Sequence, residues 1–298
     1  MRLSLLDLQW PGDLPVLLPA VEQLGYFRYW ATEHYSGTQS ASPVVVAALA
    51  AGLTDRIRIG TAGILLRSAS ALRVACDFAA LELFFPGRID LGIAGATPNA
   101  PYLDHYEPDV RIATGEAYEG RAIRLVGLVR DGRLPRTQSP VGPLVTTRPE
   151  LWMCGTSAGS ARLAGRLGMS FVYHHYLAEL AGGAIRSVGR EYRDAFVPRP
   201  DGRTPYFAIA CYGACGMSAS HAEAEWRSHF SGSGPAPSFM GTGKDVVAAI
   251  GALIEQYAAD EVLLDCFASS LESRIDGLAM IASAANEQGG PGEGAGED

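Results

Sequence analysis

The fold is decided by a stretch that passes directly from a strand into a helix and reads LWMCGTSAGSARLAGRL over residues 151–167. Its first residues, Leu151–Cys154, form a short apolar run that predicts a buried strand. Small and polar residues follow, and a helical pattern then covers Ser160–Leu167. One strand, one turn and one helix make up the repeating unit of a parallel α/β fold.

The same alternation continues in both directions along the chain. The strands are predicted at Leu3–Leu6, Tyr29–Ala31, Arg56–Ile59, Ile89–Ile93, Leu151–Cys154, Ser170–Tyr173, Tyr206–Cys211 and Val262–Leu264. The helices are predicted at Leu14–Leu24, Val44–Leu53, Leu72–Leu83, Gly115–Val126, Ser160–Leu167, Leu180–Tyr192, Ala219–Phe230, Lys244–Tyr257 and Leu271–Ala285. Eight such units favour a closed (β/α)8 TIM barrel over an open doubly wound sheet, which the sequence does not exclude.

The chain is predicted to fold as a single domain because no linker divides its two halves. Its 298 residues suit one α/β barrel, for which about 250 residues are typical. We assign residues 1–288 to the barrel, with loop insertions such as the Gly-, Ser- and Pro-rich segment Gly232–Gly243. Residues 289–298 are rich in glycine and acidic side chains, which predicts a short disordered C-terminal tail.

Composition and charge argue against several classes of function. The net charge of −8 is unsuited to nucleic-acid binding, which needs a basic surface to displace counterions from phosphates. The longest uncharged span, residues 35–54, has an apolar part that is too short to cross a membrane. The five cysteines are scattered, and the spacing of Cys211 and Cys215 matches neither a redox motif nor a zinc ribbon. We therefore expect free thiols in a cytoplasmic protein that binds neither membrane nor nucleic acid.

Candidate functional residues recur where the predicted strands end. In a barrel of this type, the active site lies at the carboxyl ends of the strands. Histidines and small residues follow the second to sixth strands, at His34, Gly60–Gly63, Gly92–Gly95, Gly155–Ser160 and His174–His175. This convergence on one rim predicts a single site there.

The segment Gly155–Ser160 is the sharpest local signal, and it has more than one interpretation. Glycine and hydroxyl residues between a strand and a helix present backbone N–H groups at a helix N-terminus, which is typical of a phosphate site. Alternatively, Ser157 or Ser160 only caps the helix.

A third interpretation of the same segment is catalytic. It reads G-x-S-x-G, the nucleophile elbow of α/β-hydrolases, which would make Ser157 a nucleophile. Partners in the required order are available among Asp194, Asp201, His221 and His229. Against a hydrolase, no His-Gly-Gly oxyanion segment precedes the motif, and both histidines lie in a predicted helix.

His34 is the best candidate for acid/base catalysis, because imidazole titrates near neutral pH and this residue follows a strand beside Glu33. A lone histidine can also serve as a structural hydrogen-bonding group. His174 and His175 lack a third ligand at a suitable spacing, so we expect structural roles for them and no metal site. Gly60–Gly63 fits either an ordinary turn or a backbone surface against which a flat cofactor ring can lie.

Four segments make the chain resemble the bacterial-luciferase-like monooxygenases, which are flavin-dependent (β/α)8 barrels. These segments are Leu24–His34, Ile57–Leu66, Phe85–Gly92 and Leu151–Ser160. The likeness is greatest to a subgroup of natural-product tailoring oxygenases, which implies a role in antibiotic biosynthesis.

The resemblance also implies residue roles. The bond between Ala62 and Gly63 matches the position of a non-prolyl cis peptide that lies against the flavin ring, next to Thr61. His34 matches the family's active-site histidine. Gly95 stands where relatives commonly carry an arginine near the phosphate, which implies weaker binding of FMN. Thr156, Ser157 and Ser160 match the positions that hold the FMN phosphate, and Gly155 is expected to be a cofactor-binding residue beside them.

The leading hypothesis is a monooxygenase that receives reduced FMN from a separate flavin reductase and uses O2 to hydroxylate or epoxidise its substrate. No G-x-G-x-x-G sequence opens a helix, so we expect no dinucleotide site. Aromatic residues near the strand ends favour a polycyclic aromatic substrate, such as a natural-product intermediate. They are Trp10, Tyr102, Tyr106, Tyr176, Tyr212 and Phe267.

Other functions remain open at this point. Barrel relatives use the deazaflavin F420 for hydride transfer, so an F420-dependent oxidoreductase is the main alternative. A flavin-binding relative without catalysis and a G-x-S-x-G serine hydrolase are the others. In the leading hypothesis the partners are a small-molecule substrate and a reductase, and we expect the chain to form a homodimer.

Overall fold

The computed structural model describes residues 1–36, 39, 42–98, 102, 115–199, 202–230 and 235–289. The predicted tail lies outside the described residues from position 290 onward, and Tyr106 and Asp201 lie outside them as well. Within the described ranges, no helix combines the length and the apolar character that crossing a bilayer requires.

Eight strands form the barrel. They are β1 Leu3–Asp7, β2 Arg28–Ala31, β3 Arg58–Thr61, β5 Ile89–Ala94, β6 Glu150–Gly155, β7 Ser170–His174, β8 Phe207–Cys215 and β10 Glu261–Cys266. These strands pair in parallel in chain order, and β10 pairs with both β8 and β1, which closes the sheet. The predicted (β/α)8 barrel is thereby confirmed.

Two short strands, β4 Ile64–Leu65 and β9 Phe239–Gly241, are added at the carboxyl ends of β5 and β8. Neither is expected from the sequence, and β9 lies inside the predicted insertion Gly232–Gly243. Each is only two or three residues long, so it carries too little alternation to be recognised as a strand.

Helices cover the outside of the barrel. They are α1 Leu14–Gln23, α2 Pro43–Gly52, α3 Ala71–Phe84, α4 Gly115–Asp131, α5 Ala158–Arg166, α6 His175–Leu180, α7 Val188–Asp194, α8 Ala219–His229, α9 Gly243–Tyr257 and α10 Leu271–Gly289. The prediction of one helix over Leu180–Tyr192 is wrong, because α6 and α7 are separate. Between them, Gly182 and Gly183 have φ angles of 113° and 130°, which end the first helix and which only glycine adopts readily.

Strand β3 begins two residues later than predicted because a carboxylate holds the preceding backbone. The amides of Asp55, Arg56 and Ile57 all donate to Glu22, at distances of 2.7–3.2 Å. These amides already have a hydrogen-bond acceptor in Glu22, so the pairing of β3 with β2 starts only at Arg58.

Two apolar layers hold the barrel together. One lies between the sheet and the helices, and the other lies inside the barrel. Inside, Trp30 and Trp152 meet edge to face with 5.1 Å between their ring centroids. A Cβ atom at Gly60 would lie 2.5 Å from the Trp30 ring, so this glycine is required for packing. Gly60 therefore has a structural role, and only the later part of Gly60–Gly63 is left for a site.

Buried ion pairs close the amino-terminal end of the barrel. Arg28 contacts Asp90 at 3.0 Å and also pairs with Glu261, and the side chains of all three are at most 4% exposed. Tyr206 donates a further hydrogen bond to Glu261 at 2.9 Å. These charges lie at the end of the strands opposite to the predicted site.

Candidate active site

A cavity of about 690 Å³ lies at the carboxyl ends of the strands, where the sequence places the site. We call it the first cavity. The predicted site residues that line it are His34, Ala62, Gly63, Gly155, Thr156, Ser157 and Ser160. The structure therefore brings together all but one of the predicted site residues, although they come from three separate strand ends along the chain.

The exception is Thr61, which does not line the first cavity. Its side chain is fully buried and its hydroxyl donates to the Gly92 carbonyl at 2.9 Å and accepts from the Gly92 amide at 3.1 Å. These bonds join the ends of β3 and β5. Thr61 therefore lies behind the described wall of the first cavity, where it links β3 to β5.

The bond between Ala62 and Gly63 is cis, as the resemblance implied. Gly63 lies close to the backbone of β5, because a Cβ atom at this position would be 2.9 Å from the Ile93 carbonyl carbon. No side chain can fit there without displacing backbone. Ala62 and Gly63 thus present a nearly bare stretch of main chain to the first cavity.

Ser157 and Ser160 form a reciprocal cap at the start of α5. The Ser157 hydroxyl accepts from the Ser160 amide at 3.2 Å, and the Ser160 hydroxyl accepts from the Ser157 amide at 3.3 Å. The helix therefore begins at Ala158, two residues earlier than predicted. Ser157 therefore caps α5. This cap is compatible with anion binding, because the same residues line the first cavity at a helix N-terminus.

The predicted hydrolase triad is not assembled. His221 is bound by Glu225 at 3.1 Å on its own helix, and His229 packs against Phe267 with 5.0 Å between ring centroids. Neither histidine is among the described residues that line the first cavity with Ser157. Ser157 instead contacts Ser160, with 2.9 Å between their hydroxyl oxygens.

Among the described residues, two histidines line the first cavity, His34 and His174. Burial lowers the pKa of His34 below its ordinary value. Burial, together with the nearby His34, lowers the pKa of His174 to about 4. Both imidazoles are therefore neutral at pH 7, and each can accept or donate a hydrogen bond.

The sequence led us to expect a structural role for His174, and the structure places this residue in the wall of the first cavity. Its Nδ1 atom lies 3.3 Å from the Tyr176 hydroxyl, which also lines the first cavity. His175 does have a structural setting, since its ring packs edge to face on Tyr257. The sequence could have separated the two histidines, because His174 ends β7 and His175 begins α6. Neighbouring residues at such a boundary point their side chains to different surroundings.

Glu33 is a further acidic group in the first cavity. It accepts a hydrogen bond from the Leu65 amide at 2.8 Å and another from the Tyr35 hydroxyl at 3.1 Å. Burial raises the pKa of its carboxyl above the ordinary value. Because Leu65 is in β4, this bond ties the segment that carries His34 to the short strand beside the cis peptide.

Arg67 was not expected from the sequence, and it is the only Lys or Arg among the described residues that line the first cavity. Its Nε donates to the Gly95 carbonyl, and its guanidinium lies 5.0 Å from the centroid of the Tyr118 ring. A Cβ atom at Gly95 would be 3.3 Å from the same ring. Arg67 and Tyr118 therefore pack where a side chain at Gly95 would begin.

A second cavity of about 550 Å³ lies at the ends of β1, β8 and β10. Its wall includes the aromatic residues Trp10, Tyr212, Phe230 and Phe267. Three of the six aromatic residues singled out in the sequence thus line the second cavity, and Tyr176 lines the first. Tyr102 contacts Tyr35 in a tilted arrangement with 5.6 Å between ring centroids. The five of these residues that the structure describes therefore do not all line one cavity.

The sequence of this chain is similar to those of several bacterial proteins. The chain is 32% identical to the uncharacterized protein YwcH of Bacillus subtilis over 213 residues, which are 70% of this chain and 63% of that protein. It is 30% identical to N-acetyl-S-alkylcysteine monooxygenase of the same organism over 233 residues, which are 70% of this chain and 66% of the enzyme. The chain thus spans less than two thirds of the length of these two relatives.

Solved structures share the fold. The structure of apo-MsnO8 has a TM-score of 0.83 at 24% identity, covering 95% of this chain and 98% of that one. A type II Baeyer-Villiger monooxygenase from Pseudomonas putida, solved with FMN, has a TM-score of 0.70 at 16% identity and coverages of 96% and 97%. An F420-dependent secondary alcohol dehydrogenase has a TM-score of 0.66 at 15% identity and coverages of 96% and 99%.

The sequence pattern that defines the luciferase-like monooxygenases matches residues 11–262, which is most of the chain. This match includes every residue named above in the wall of the first cavity. The chain belongs to the luciferase-like monooxygenase family.

Proposed function

We propose that this chain is a monooxygenase that binds reduced FMN in the first cavity and uses O2 to oxygenate an organic substrate. The observation that carries the proposal is the make-up of that cavity. Its wall combines a hydroxyl-rich helix start, a bare stretch of backbone and two neutral histidines. Family membership supports a monooxygenase, and the cavity supports a phosphorylated cofactor with a flat ring.

The residues fit such a cofactor at both ends. Gly155 leaves the helix start open, because a Cβ atom there would lie 2.3 Å from the Ser160 hydroxyl. Thr156, Ser157 and Ser160 would hold the phosphate together with the first amides of α5, which carry partial positive charge. At the other end, the backbone of Ala62 and Gly63 would lie against the ring.

Bound reduced FMN would supply the electrons that activate O2. The chain's own work is to exclude water, to orient the substrate and to manage protons. His34 is the proposed acid/base group, since burial keeps it neutral and able to accept a proton near pH 7. His174 and Tyr176, which contact each other, would orient polar atoms of the reactants beside it.

The second cavity supports an aromatic substrate. It adjoins the first cavity through the Tyr176 and Tyr212 rings, whose centroids are 4.6 Å apart. Its wall of Trp10, Phe230 and Phe267 favours flat apolar molecules, and Gln9 and Ser269 add polar contacts. We propose hydroxylation or epoxidation of a polycyclic aromatic intermediate, of the kind that tailoring enzymes modify in antibiotic biosynthesis.

The remaining parts of the proposal concern the setting. A separate reductase would supply reduced FMN, because the sequence contains no G-x-G-x-x-G dinucleotide motif. We further propose a cytoplasmic homodimer built from one barrel domain per chain. The F420-dependent dehydrogenase with the same fold keeps F420 as the second candidate cofactor.

The test is an anaerobic titration with reduced FMN, followed by addition of isotopically labelled O2 and an anthraquinone-like acceptor. We expect saturable binding of reduced FMN and one labelled oxygen atom in the product. Turnover with reduced F420 under argon, without labelled product, would establish the F420 alternative instead. Flavin binding without oxygen transfer to any acceptor would favour a non-catalytic flavin protein. Labelling of Ser157 by a fluorophosphonate, with no flavin binding, would favour the hydrolase.

A further inference from the structure

We infer that Arg67 is the cation that binds the cofactor phosphate in this chain and makes the first cavity selective for FMN over riboflavin. The inference rests on the proposed flavin function, since it assigns the phosphate a partner within the same cavity. It goes beyond the helix start at Gly155–Ser160, because Arg67 lies 88 positions earlier in the chain than Gly155.

Strand register places Arg67 beside the hydroxyl loop. Arg67 donates to the carbonyl of Gly95, which directly follows Ala94 at the end of β5. Ala94 is paired with Cys154 in the ladder between β5 and β6, and Cys154 directly precedes Gly155. Neighbouring strands lie about 4.8 Å apart. The guanidinium is thus anchored about one strand away from the loop that would hold the phosphate.

The Arg67 side chain is held in position before any ligand binds. Its guanidinium rests on the Tyr118 ring at 5.0 Å from the centroid, a cation–π contact. The backbone that carries it is clamped by Arg121, which donates to the carbonyls of Leu66, Arg67 and Ala69 at 2.6–3.2 Å. A positioned arginine binds a phosphate well because its planar fork can donate two parallel hydrogen bonds.

A phosphate bound in the first cavity needs a positively charged side chain to balance its charge. Among the described residues of the cavity wall, the groups besides Arg67 that can carry a charge are the carboxyls of Glu33 and Glu119 and the two histidines, which are neutral at pH 7. Glu119 is compensated outside the cavity by Arg166 at 2.8 Å. A phosphate near neutral pH carries nearly two negative charges, and a helix N-terminus offsets only about half of one. Arg67 supplies a full positive charge on the same wall.

The test compares FMN and riboflavin, which differ only in the phosphate. Oxidised FMN and riboflavin are titrated by flavin fluorescence into the wild-type chain and into Arg67→Gln, Arg67→Lys and Arg73→Gln. Arg73 is a matched control, because it is exposed and pairs with Asp77 outside the cavity. We expect Arg67→Gln to weaken FMN binding by about 10- to 100-fold and riboflavin binding by less than about twofold. Arg67→Lys should retain part of the preference, and Arg73→Gln all of it.

Added salt gives a second readout that does not depend on the variants folding. FMN affinity of the wild type should fall with salt while riboflavin affinity stays constant. Equal losses for the two flavins in Arg67→Gln, or an unchanged FMN affinity, would overturn the assignment while leaving the proposed flavin function intact. A wild type that binds neither flavin, in the oxidised or in the reduced form, would refute the proposed function. In that case, thermal unfolding with and without inorganic phosphate would test Arg67. Stabilisation of the wild type by phosphate that is lost in Arg67→Gln would support a phosphate site at Arg67. No stabilisation of the wild type by phosphate would overturn the assignment.

Discussion

The rings of Tyr176 and Tyr212 lie 4.6 Å apart between centroids, and each ring lines a different cavity of the same barrel end. This pair is therefore a shared wall between the proposed cofactor cavity and the proposed substrate cavity. Its composition decides how large a substrate can extend from one cavity toward the other. The contact between the two cavities is made by two side chains, so single substitutions can change it.

Shortening that wall should alter substrate selection and leave the cofactor in place. We expect Tyr212→Leu to change the KM of a polycyclic aromatic acceptor by about 5- to 50-fold, equivalent to roughly 1–2 kcal/mol. The dissociation constant of FMN should change by less than about twofold. Tyr212→Phe keeps the ring and should behave like the wild type. A loss of FMN affinity with unchanged KM would show that the wall belongs to the cofactor site alone.

His34→Gln should impair chemistry far more than binding. We expect product formation to fall by about 10²–10⁴, the usual contribution of a general acid/base, with FMN affinity retained within a few fold. Because burial lowers the pKa of His34, wild-type activity should fall only on the acid side of its ordinary pKa, and this limb should vanish in the variant. His175→Gln, outside the cavity, is the control. Parallel losses of FMN affinity and thermal stability in His34→Gln would indicate a structural histidine.

His174 should make the ligand-free protein sensitive to mild acid. Its pKa is about 4 in the folded chain and near 6.5 when unfolded, so the unfolded state binds more protons between these values. Stability is therefore complete above pH 6.5 and declines as the pH falls toward 4. At pH 5, His174 alone should lower the free energy of unfolding by about 2 kcal/mol relative to pH 7.5. Urea unfolding should show that the wild type loses stability between pH 7.5 and pH 5. The same comparison in His174→Gln should give a loss that is smaller by about 2 kcal/mol. Parallel losses in the two proteins would contradict the assignment.

Arg28→Met should destabilise the barrel because it leaves Glu261 buried without its cation and removes one of the two arginines that pair with Asp90, which keeps Arg58 at 2.7 Å. Breaking one partner of a buried ion pair typically costs about 3–5 kcal/mol, and we expect a loss in that range by urea unfolding. Arg73→Met removes an exposed pair and should change stability by less than about 0.5 kcal/mol. Since Arg28 lies at the amino-terminal end of the strands, FMN binding by the folded variant should be unchanged. A loss below about 1 kcal/mol would mean that the carboxyls become protonated instead.

The features that were predicted from the sequence are those formed by residues close to one another along the chain. Gly155–Ser160 joins a strand end, a turn and a helix cap within six positions, and its place in the first cavity follows from the barrel. His34 and the Ala62–Gly63 bond were likewise found at strand ends. The break between α6 and α7 was missed because Gly182 and Gly183 lie within an otherwise helical pattern.

Features that depend on packing between distant residues could not be predicted in this way. Arg67 meets Gly95 and Tyr118 through contacts that span 28 and 51 positions, and nothing near Arg67 marks it as part of a site. The division of the aromatic residues between two cavities has the same origin. It depends on where the rings of Tyr176 and Tyr212 meet, and strand-end position alone places both on a single rim.

Ser157 gives the sharpest separation of a capping role from a binding role. Ser157→Ala removes the cap of α5 and should lower stability by about 1 kcal/mol whatever the ligand. If the hydroxyl also binds phosphate, FMN affinity should fall by a further roughly 1–3 kcal/mol while riboflavin affinity is unchanged.

Ser218→Ala is the control, because the Ser218 hydroxyl accepts from the His221 amide at the start of α8 and Ser218 lies outside the described wall of the first cavity. It should show the loss of stability without any loss of FMN affinity, measured by thermal unfolding and by fluorescence titration. Equal FMN affinity in both variants would mean that Ser157 only caps its helix. The phosphate would then be held by backbone amides and by Arg67, and Arg67→Gln would be the more damaging substitution of the two.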